Sequence, residues 1–173
     1  VNMITAVTLG IALAFEPTEA NTMKRPPRPR SEPLLSGALI WHIILVAMLF
    51  LGGVFGIYAY AIDRGYPIEL ARTLAMNTLV VMEIFHLFFI RNMYSTSLTW
   101  QAVRGTNAVW IAVFIVVLGQ LAITYVHPLQ TVFETQAVGI LDGLLMVLLG
   151  AVLFMIIEIE KQMRLRLADS LRD

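Results

Sequence analysis

The apolar positions of this chain do not alternate with polar ones at a strand period or mark one face at a helical period; they fall into long unbroken runs. From Gly37 to Ile62, 26 consecutive residues lack Asp, Glu, Lys and Arg. A helix rises about 1.5 Å per residue and ~20 apolar residues cross the ~30 Å hydrocarbon core of a bilayer, so this run predicts a transmembrane helix over 37–62. Thr73 to Ile90 gives 18 residues interrupted by Glu83 alone, Thr106 to Val126 gives 21 uncharged residues, and Val138 to Ile157 gives 20 with Asp142 near its start. These predict three further transmembrane helices, at 73–90, 106–126 and 138–160, with a tail over 161–173. The uncharged stretch Val1 to Phe15 has 15 residues, and at about 1.5 Å each it reaches only ~22 Å. It reads as a spanning helix cut through its middle, so the expectation is a fragment of a longer chain.

The predicted fold class is therefore an all-α membrane protein, a bundle of four full transmembrane helices plus a truncated fifth at the amino terminus. Its loops are short, with no repeat and no separate soluble domain. The loop over 16–36 is unusual in composition, because Pro17, Pro26, Pro27, Pro29 and Pro33 make it extended and stiff. Basic and close to the bilayer, it reads as a linker or as a docking surface.

Composition agrees with the runs. Of the 173 residues, 58% are hydrophobic and 14% charged, with no cysteine and a net charge of zero. An ordinary soluble domain is roughly 45–50% apolar and about 25% charged. A disordered chain, a disulfide scaffold and a nucleic-acid binder are excluded. The zero net charge conceals an asymmetry: alternate compartments hold ten and two of the Lys and Arg residues. Positive loops stay cytoplasmic, so Lys24, Arg25, Arg28 and Arg30 of the first loop, Arg91 and Arg104 of the third, and the tail carrying Lys161, Arg164, Arg166 and Arg172 are expected inside. The expectation is an integral, multi-pass protein of the plasma membrane with a cytoplasmic carboxy terminus.

Polar residues inside the spans are expensive in hydrocarbon and so usually have a partner or a task. Glu83 must be protonated, paired or bound to a cation. His86, three positions on and about 60° round the helix, is close enough to meet it. The pair reads either as a neutral hydrogen bond joining two helices or as part of an ion or proton site. Glu-x-x-His is also a di-iron spacing, but that site needs a second copy and two more carboxylates at membrane depth, which the sequence lacks. Asn2 and Thr5 share a face and offer oxygen donors that suit hard cations such as Ca²⁺, Na⁺ or K⁺, or they bond across helices as such residues commonly do. Asn77, Gln120 and Thr124 read as interhelical hydrogen-bonding residues. Gly52-x-x-x-Gly56, with Gly53 beside it, predicts a packing seam. Tyr58, Tyr60, Tyr66, Trp110 and Tyr125 suit the membrane interface. Asp142 is a cap or a gate at the outer mouth, and Glu160 with Arg164 is spaced for a helix-surface pair.

Three motifs carry a resemblance. Val1-Asn2-Met3-Ile4-Thr5, continued by Ala14-Phe15-Glu16-Pro17 and Met23-Lys24-Arg25-Pro26-Pro27-Arg28, resembles the sixth transmembrane helix and following basic loop of P-type cation-transporting ATPases of the calcium-pump and sodium-pump kind. Asn77 to Phe85 resembles their eighth helix, and Tyr125 to Phe133 the junction between the ninth and tenth. The similarity covers nearly the whole chain, in the same order.

The resemblance implies the membrane-embedded part of an ATP-driven cation pump working by alternating access. Asn2, Thr5 and Glu83 fall on positions that supply oxygens to the transported cation. Ala6 departs from the pattern, standing where those pumps carry an Asp; a single ion, a monovalent ion, or a proton counter-transported on Glu83 fits better than a calcium-pump stoichiometry. ATP and Mg²⁺ are implied for the full-length enzyme and no cofactor within these residues, where neither the Asp-Lys-Thr-Gly nor the Thr-Gly-Glu motif occurs. Expected partners are the cation, the bilayer, and the amino-terminal helices and cytoplasmic domains of the same pump. The alternatives are a piece of a secondary transporter, whose internal repeat is not seen, and a non-catalytic structural bundle.

Overall fold

The computed structural model describes residues 2–16, 37–91 and 106–170. The Pro-rich loop beyond Glu16, with Lys24, Arg25, Arg28 and Arg30, lies outside the described residues, as do Arg104 and Arg172. Among the described residues there are six helices and no strand: α1 (Asn2–Leu13), α2 (Gly37–Asp63), α3 (Ile68–Ile90), α4 (Asn107–Tyr125), α5 (His127–Phe133) and α6 (Ile140–Ser170). Four stretches are long and apolar enough to cross a membrane: Leu39–Asp63, Ile68–Ile90, Asn107–Tyr125 and Ile140–Arg166. The fold is an all-α membrane bundle.

Helix ends depart from the apolar runs where charge and helicity part company. Helix α3 starts at Ile68, taking in Glu69 and Arg72, because charge ends a hydrocarbon-compatible run but not a helix; Glu69 in the first turn suits the positive end of the helix dipole. Helix α6 continues through its charged residues to Ser170 for the same reason. The loop after α4, expected to be short, contains α5. Pro128 in its first turn lacks only an N–H that a helix start does not use, and Glu134 ends it in the left-handed region at φ 52°. Between α2 and α3 the chain reverses at Gly65, whose φ of 72° suits a residue without Cβ. The N–H groups of Gly65 and Tyr66 close the end of α2 on the carbonyls of Ile62 and Ala61, at 2.9 and 3.0 Å.

Helix α3 is the axis of the bundle and touches α1, α2, α4 and α6. On one side, Leu9 and Ala12 of α1 and Val109, Ala112, Val113 and Val116 of α4 form a buried cluster with Val80 and Leu87. On the other, α2 and α6 close on α3 through two clusters, one around Ala61, Ala71, Leu74 and Met146 and one around Val46, Met82, Phe89, Leu153 and Ile157.

Of the three glycines read as a packing seam, Gly53 meets a neighbouring helix and Gly52 and Gly56 do not. Space beside Gly52 and Gly56 is open, whereas a Cβ on Gly53 would lie 2.9 Å from Met82 Sδ of α3. A second close approach involves Gly150 of α6, where a Cβ would lie 2.7 Å from Phe85 Cδ2 and 2.8 Å from Val81 Cγ1. Four-residue spacing identifies glycines sharing a face, but which face meets a neighbour depends on how the helix is rotated in the bundle.

Candidate intramembrane cation site

Thr5, Leu9 and Ala12 are the buried residues of α1, and their spacing of four and three places them on one stripe. Leu9 and Ala12 fill the apolar cluster, and Thr5, 6% exposed, is the polar member of the stripe. Its Oγ1 lies 2.8 Å from the backbone carbonyl oxygen of Asn2 and 2.7 Å from Glu83 Oε2 of α3. Three oxygens from two helices thus meet at the α1–α3 contact. Glu83 is half-buried and seven residues from the end of α3 at Ile90, about 10 Å at 1.5 Å per residue. A hydroxyl carries one proton and two lone pairs. Thr5 Oγ1 is thus within donating distance of two acceptors, the Asn2 carbonyl and Glu83 Oε2, and its single proton serves one of them at a time.

The structure therefore brings Thr5 and Glu83 together, while Asn2 takes part through its backbone carbonyl and has an exposed side chain. Ala6 falls off the buried stripe and is exposed. His86 does not join Glu83. Its ring stacks on Phe89 at 5.9 Å between centroids and faces His42 of α2 at 5.7 Å, and its buried Nε2 has no hydrogen-bond partner among the described residues. A displacement of three residues rotates a side chain about 60°, enough to turn Glu83 toward α1 and His86 toward α2. Among the described residues, no group of three or more His, Asp or Glu side chains gathers around one point.

Asn77, Gln120 and Thr124 form a separate network. The amide nitrogen of Asn77 donates to Thr124 Oγ1 at 3.1 Å, and Gln120 donates to the Asn77 carbonyl oxygen, tying α3 to α4 as their residue types suggested. An apolar cavity of about 360 Å³ adjoins this network between α3, α4 and α6; neither Thr5 nor Glu83 lines it. At one end of the bundle Tyr60 donates to buried Asp142 at 3.4 Å. At the other, fully buried Lys161 lies 2.6 Å from Glu158 and 4.6 Å from the Phe89 ring centroid. There Glu160 accepts from Trp41 at 3.1 Å and pairs with Arg164 at 3.5 Å, at the spacing expected.

One contact had no sequence signal. Glu16, just past α1, accepts from the backbone N–H and the hydroxyl of Thr106 through Oε1, at 3.1 and 2.6 Å. Its Oε2 pairs with Arg91 Nε at 3.0 Å. Ninety positions separate Glu16 from Thr106, and only the position of all three at helix ends hints at their meeting. Burial of Glu16 raises its carboxyl pKa, but the Thr106 donors and the Arg91 guanidinium outweigh that and hold it below the usual carboxylate value.

A carboxyl meeting a hydroxyl within a multi-pass helical bundle marks a candidate functional site. The class narrows on comparison. The family described as "Cation transporting ATPase, C-terminus" matches residues 1–163, and the chain belongs to that family. It is 39% identical over 142 residues to "Probable cation-transporting ATPase F" of Mycobacterium tuberculosis, covering 81% of this chain and 15% of that protein. It is 30% identical over 152 residues to "Calcium-transporting ATPase type 2C member 2" of Mus musculus, covering 87% of this chain and 16% of the relative. "Calcium-transporting ATPase 1" of Yarrowia lipolytica is 27% identical over 151 residues, 87% of this chain and 16% of its own. The chain thus spans about a sixth of the length of these relatives.

Proposed function

We propose that this chain forms the rear membrane portion of an ATP-driven cation pump, in which Thr5, Glu83 and Asn2 supply oxygens to the transported cation. The observation carrying this reading is the contact of Thr5 Oγ1 with Glu83 Oε2. A carboxyl held among oxygens inside hydrocarbon is the kind of donor set that hard cations take in place of water. On binding, the cation enters, the Glu83 carboxyl releases its proton, and the carboxylate with the Thr5 and Asn2 oxygens surrounds the ion; the proton offsets the whole charge of Na⁺ or K⁺ and half that of Ca²⁺. Reversal on the other side of the membrane takes up a proton and releases the cation, so a proton is carried back on Glu83.

In this reading ATP and Mg²⁺ are bound in parts of the full-length pump other than these residues, and hydrolysis there moves α1 relative to α3 so that the site faces each side in turn. The loops and tail rich in Lys and Arg face the cytoplasm, including the carboxy terminus, in the plasma membrane. Relatives with calcium in their names make Ca²⁺ a candidate cargo. Ala6, by adding no second anion beside Thr5, favours one ion per cycle, with Na⁺ and K⁺ as the other candidates.

The test is ATP hydrolysis by the purified full-length protein titrated with Ca²⁺, Na⁺ and K⁺ chlorides, with Glu83→Gln alongside. One cation is expected to stimulate hydrolysis, and Glu83→Gln to abolish that stimulation. Unchanged stimulation in a folded Glu83→Gln protein overturns the assignment of Glu83.

A further inference from the structure

Resting on the pump reading, we propose that Glu16 is a positioning residue: its carboxylate clamps the end of α1 to α3 and α4 and so holds Thr5 in register with Glu83. The argument starts from what the apolar contacts leave undetermined. Between Thr5 and the end of α1 the buried stripe consists of Leu9 and Ala12. Such contacts fit by shape and carry no directional bond, so these two side chains set the axial register of α1 against α3 only loosely. The bonds to Glu16 are directional, and they involve three elements at once. Thr5 and Glu16 are eleven residues apart on one strand of chain, and Glu83 and Arg91 eight on the other, so the clamp and the candidate site sit at the two ends of a single α1–α3 contact.

Each partner lacks locally what the clamp supplies. Helix α4 has no acidic residue in its first turn, and the side chain of its N-cap Thr106 caps nothing within the helix. The Glu16 carboxylate instead takes the Thr106 N–H and hydroxyl and sets a negative charge at the positive end of that helix. Helix α3 has no basic residue in its last turn, and Arg91 at its C-cap sets a positive charge at the negative end. Arg91 is held in turn, its guanidinium 5.8 Å from the Phe88 ring centroid. The Arg91 and Glu16 side chains are 5% and 15% exposed, so the pair is shielded from the screening that weakens surface ion pairs. A pump that moves α1 relative to α3 has either to keep this clamp or to open it, and in both cases the setting of Thr5 depends on it.

The experiment uses the full-length pump and two readouts. In ATPase titrations with whichever of Ca²⁺, Na⁺ or K⁺ stimulates the parent protein, Glu16→Gln is expected to raise the half-saturating concentration about tenfold, since ångström-scale misplacement of a binding group has effects of that order or larger. Maximal velocity stays within about twofold, because the reacting groups are untouched. Arg91→Gln has the same effect, and the double variant is no worse than either single one. The second readout needs no transport: a bifunctional thiol reagent bridging Thr5→Cys and Glu83→Cys, in a background without other cysteines, is expected to react several-fold less when Glu16→Gln is added. If none of the three cations stimulates the parent, the pump reading fails and the bridging yield alone decides the clamp. Unchanged half-saturation together with unchanged bridging overturns the proposal, as does a loss confined to maximal velocity. If Glu16→Gln does not accumulate, Thr106→Val, which removes only the hydroxyl donor, is read by the same two measurements: a shift in either supports the clamp and no shift in both overturns it.

Discussion

Replacing Thr5 with Val keeps the shape of the side chain and deletes one oxygen, which makes it a clean probe of the candidate site. In the cation-free state of the proposed exchange, with the proton on Glu83, that oxygen takes part in neutral hydrogen bonds with Glu83 and the Asn2 carbonyl, interactions worth about 0.5–1.5 kcal/mol each. With a cation bound, the same oxygen faces a charge, and contacts to charged groups are worth about 1.5–3 kcal/mol. The bond to the Asn2 carbonyl is kept in both states, so the variant loses the difference between the cation contact and the Glu83 bond, roughly 1–1.5 kcal/mol more from the bound state than from the free one. At about 1.4 kcal/mol per tenfold, the half-saturating cation concentration rises roughly five- to twelvefold. Thr5→Ser keeps the oxygen and loses a methyl group from a buried position, which weakens folding more than binding; its shift stays under about threefold. The assay is cation-stimulated ATP hydrolysis by the full-length protein at fixed pH, with the folded fraction measured for each variant. If Thr5→Val and Thr5→Ser titrate alike, the hydroxyl is not part of the site and the reasoning from the α1–α3 contact fails.

Two further outcomes are expected. Gly150→Ala places a Cβ within 2.7–2.8 Å of Phe85 and Val81. It destabilises by about 1–3 kcal/mol through overpacking, whereas Gly56→Ala, in open space, is neutral or gains up to about 1 kcal/mol of helix propensity; thermal unfolding in detergent separates them, and equal melting temperatures would contradict the packing described. Because the Glu16 carboxyl is held below its ordinary value of 4.5, its ionised form contributes stability that is complete above that value and lost as pH falls through the lowered one. The melting temperature of the parent protein should exceed that of Glu16→Gln by a constant margin from neutral pH down to the ordinary value and converge on it below, while a gap that persists into strong acid would show that the charge on Glu16 is not what stabilises.

The sequence by itself determined the fold class, the four helices long and apolar enough to cross a membrane, and the family, because crossing hydrocarbon is a one-dimensional constraint: a run of apolar residues is long enough or it is not. It also singled out Glu83, since a carboxylate is conspicuous wherever water is absent, and it paired Glu160 with Arg164 because both sit on one helix. Its errors began where a second helix was needed. His86 and Glu83 share a helix at contact spacing yet face different neighbours, α2 and α1. Of the glycines read as a seam, Gly53 meets α3 but Gly52 and Gly56 face open space, and the close approach at Gly150 was not foreseen, since the rotation of a helix about its axis is set by what packs against it. The meeting of Thr5 with Glu83, 78 positions apart, and the clamp of Glu16 on Arg91 and Thr106 were decided only by the tertiary structure. In a medium as apolar as the side chains themselves, hydrophobicity places helices in the membrane without specifying their neighbours, and the pairing falls to shape and a few directional polar contacts whose partners lie far apart in the chain.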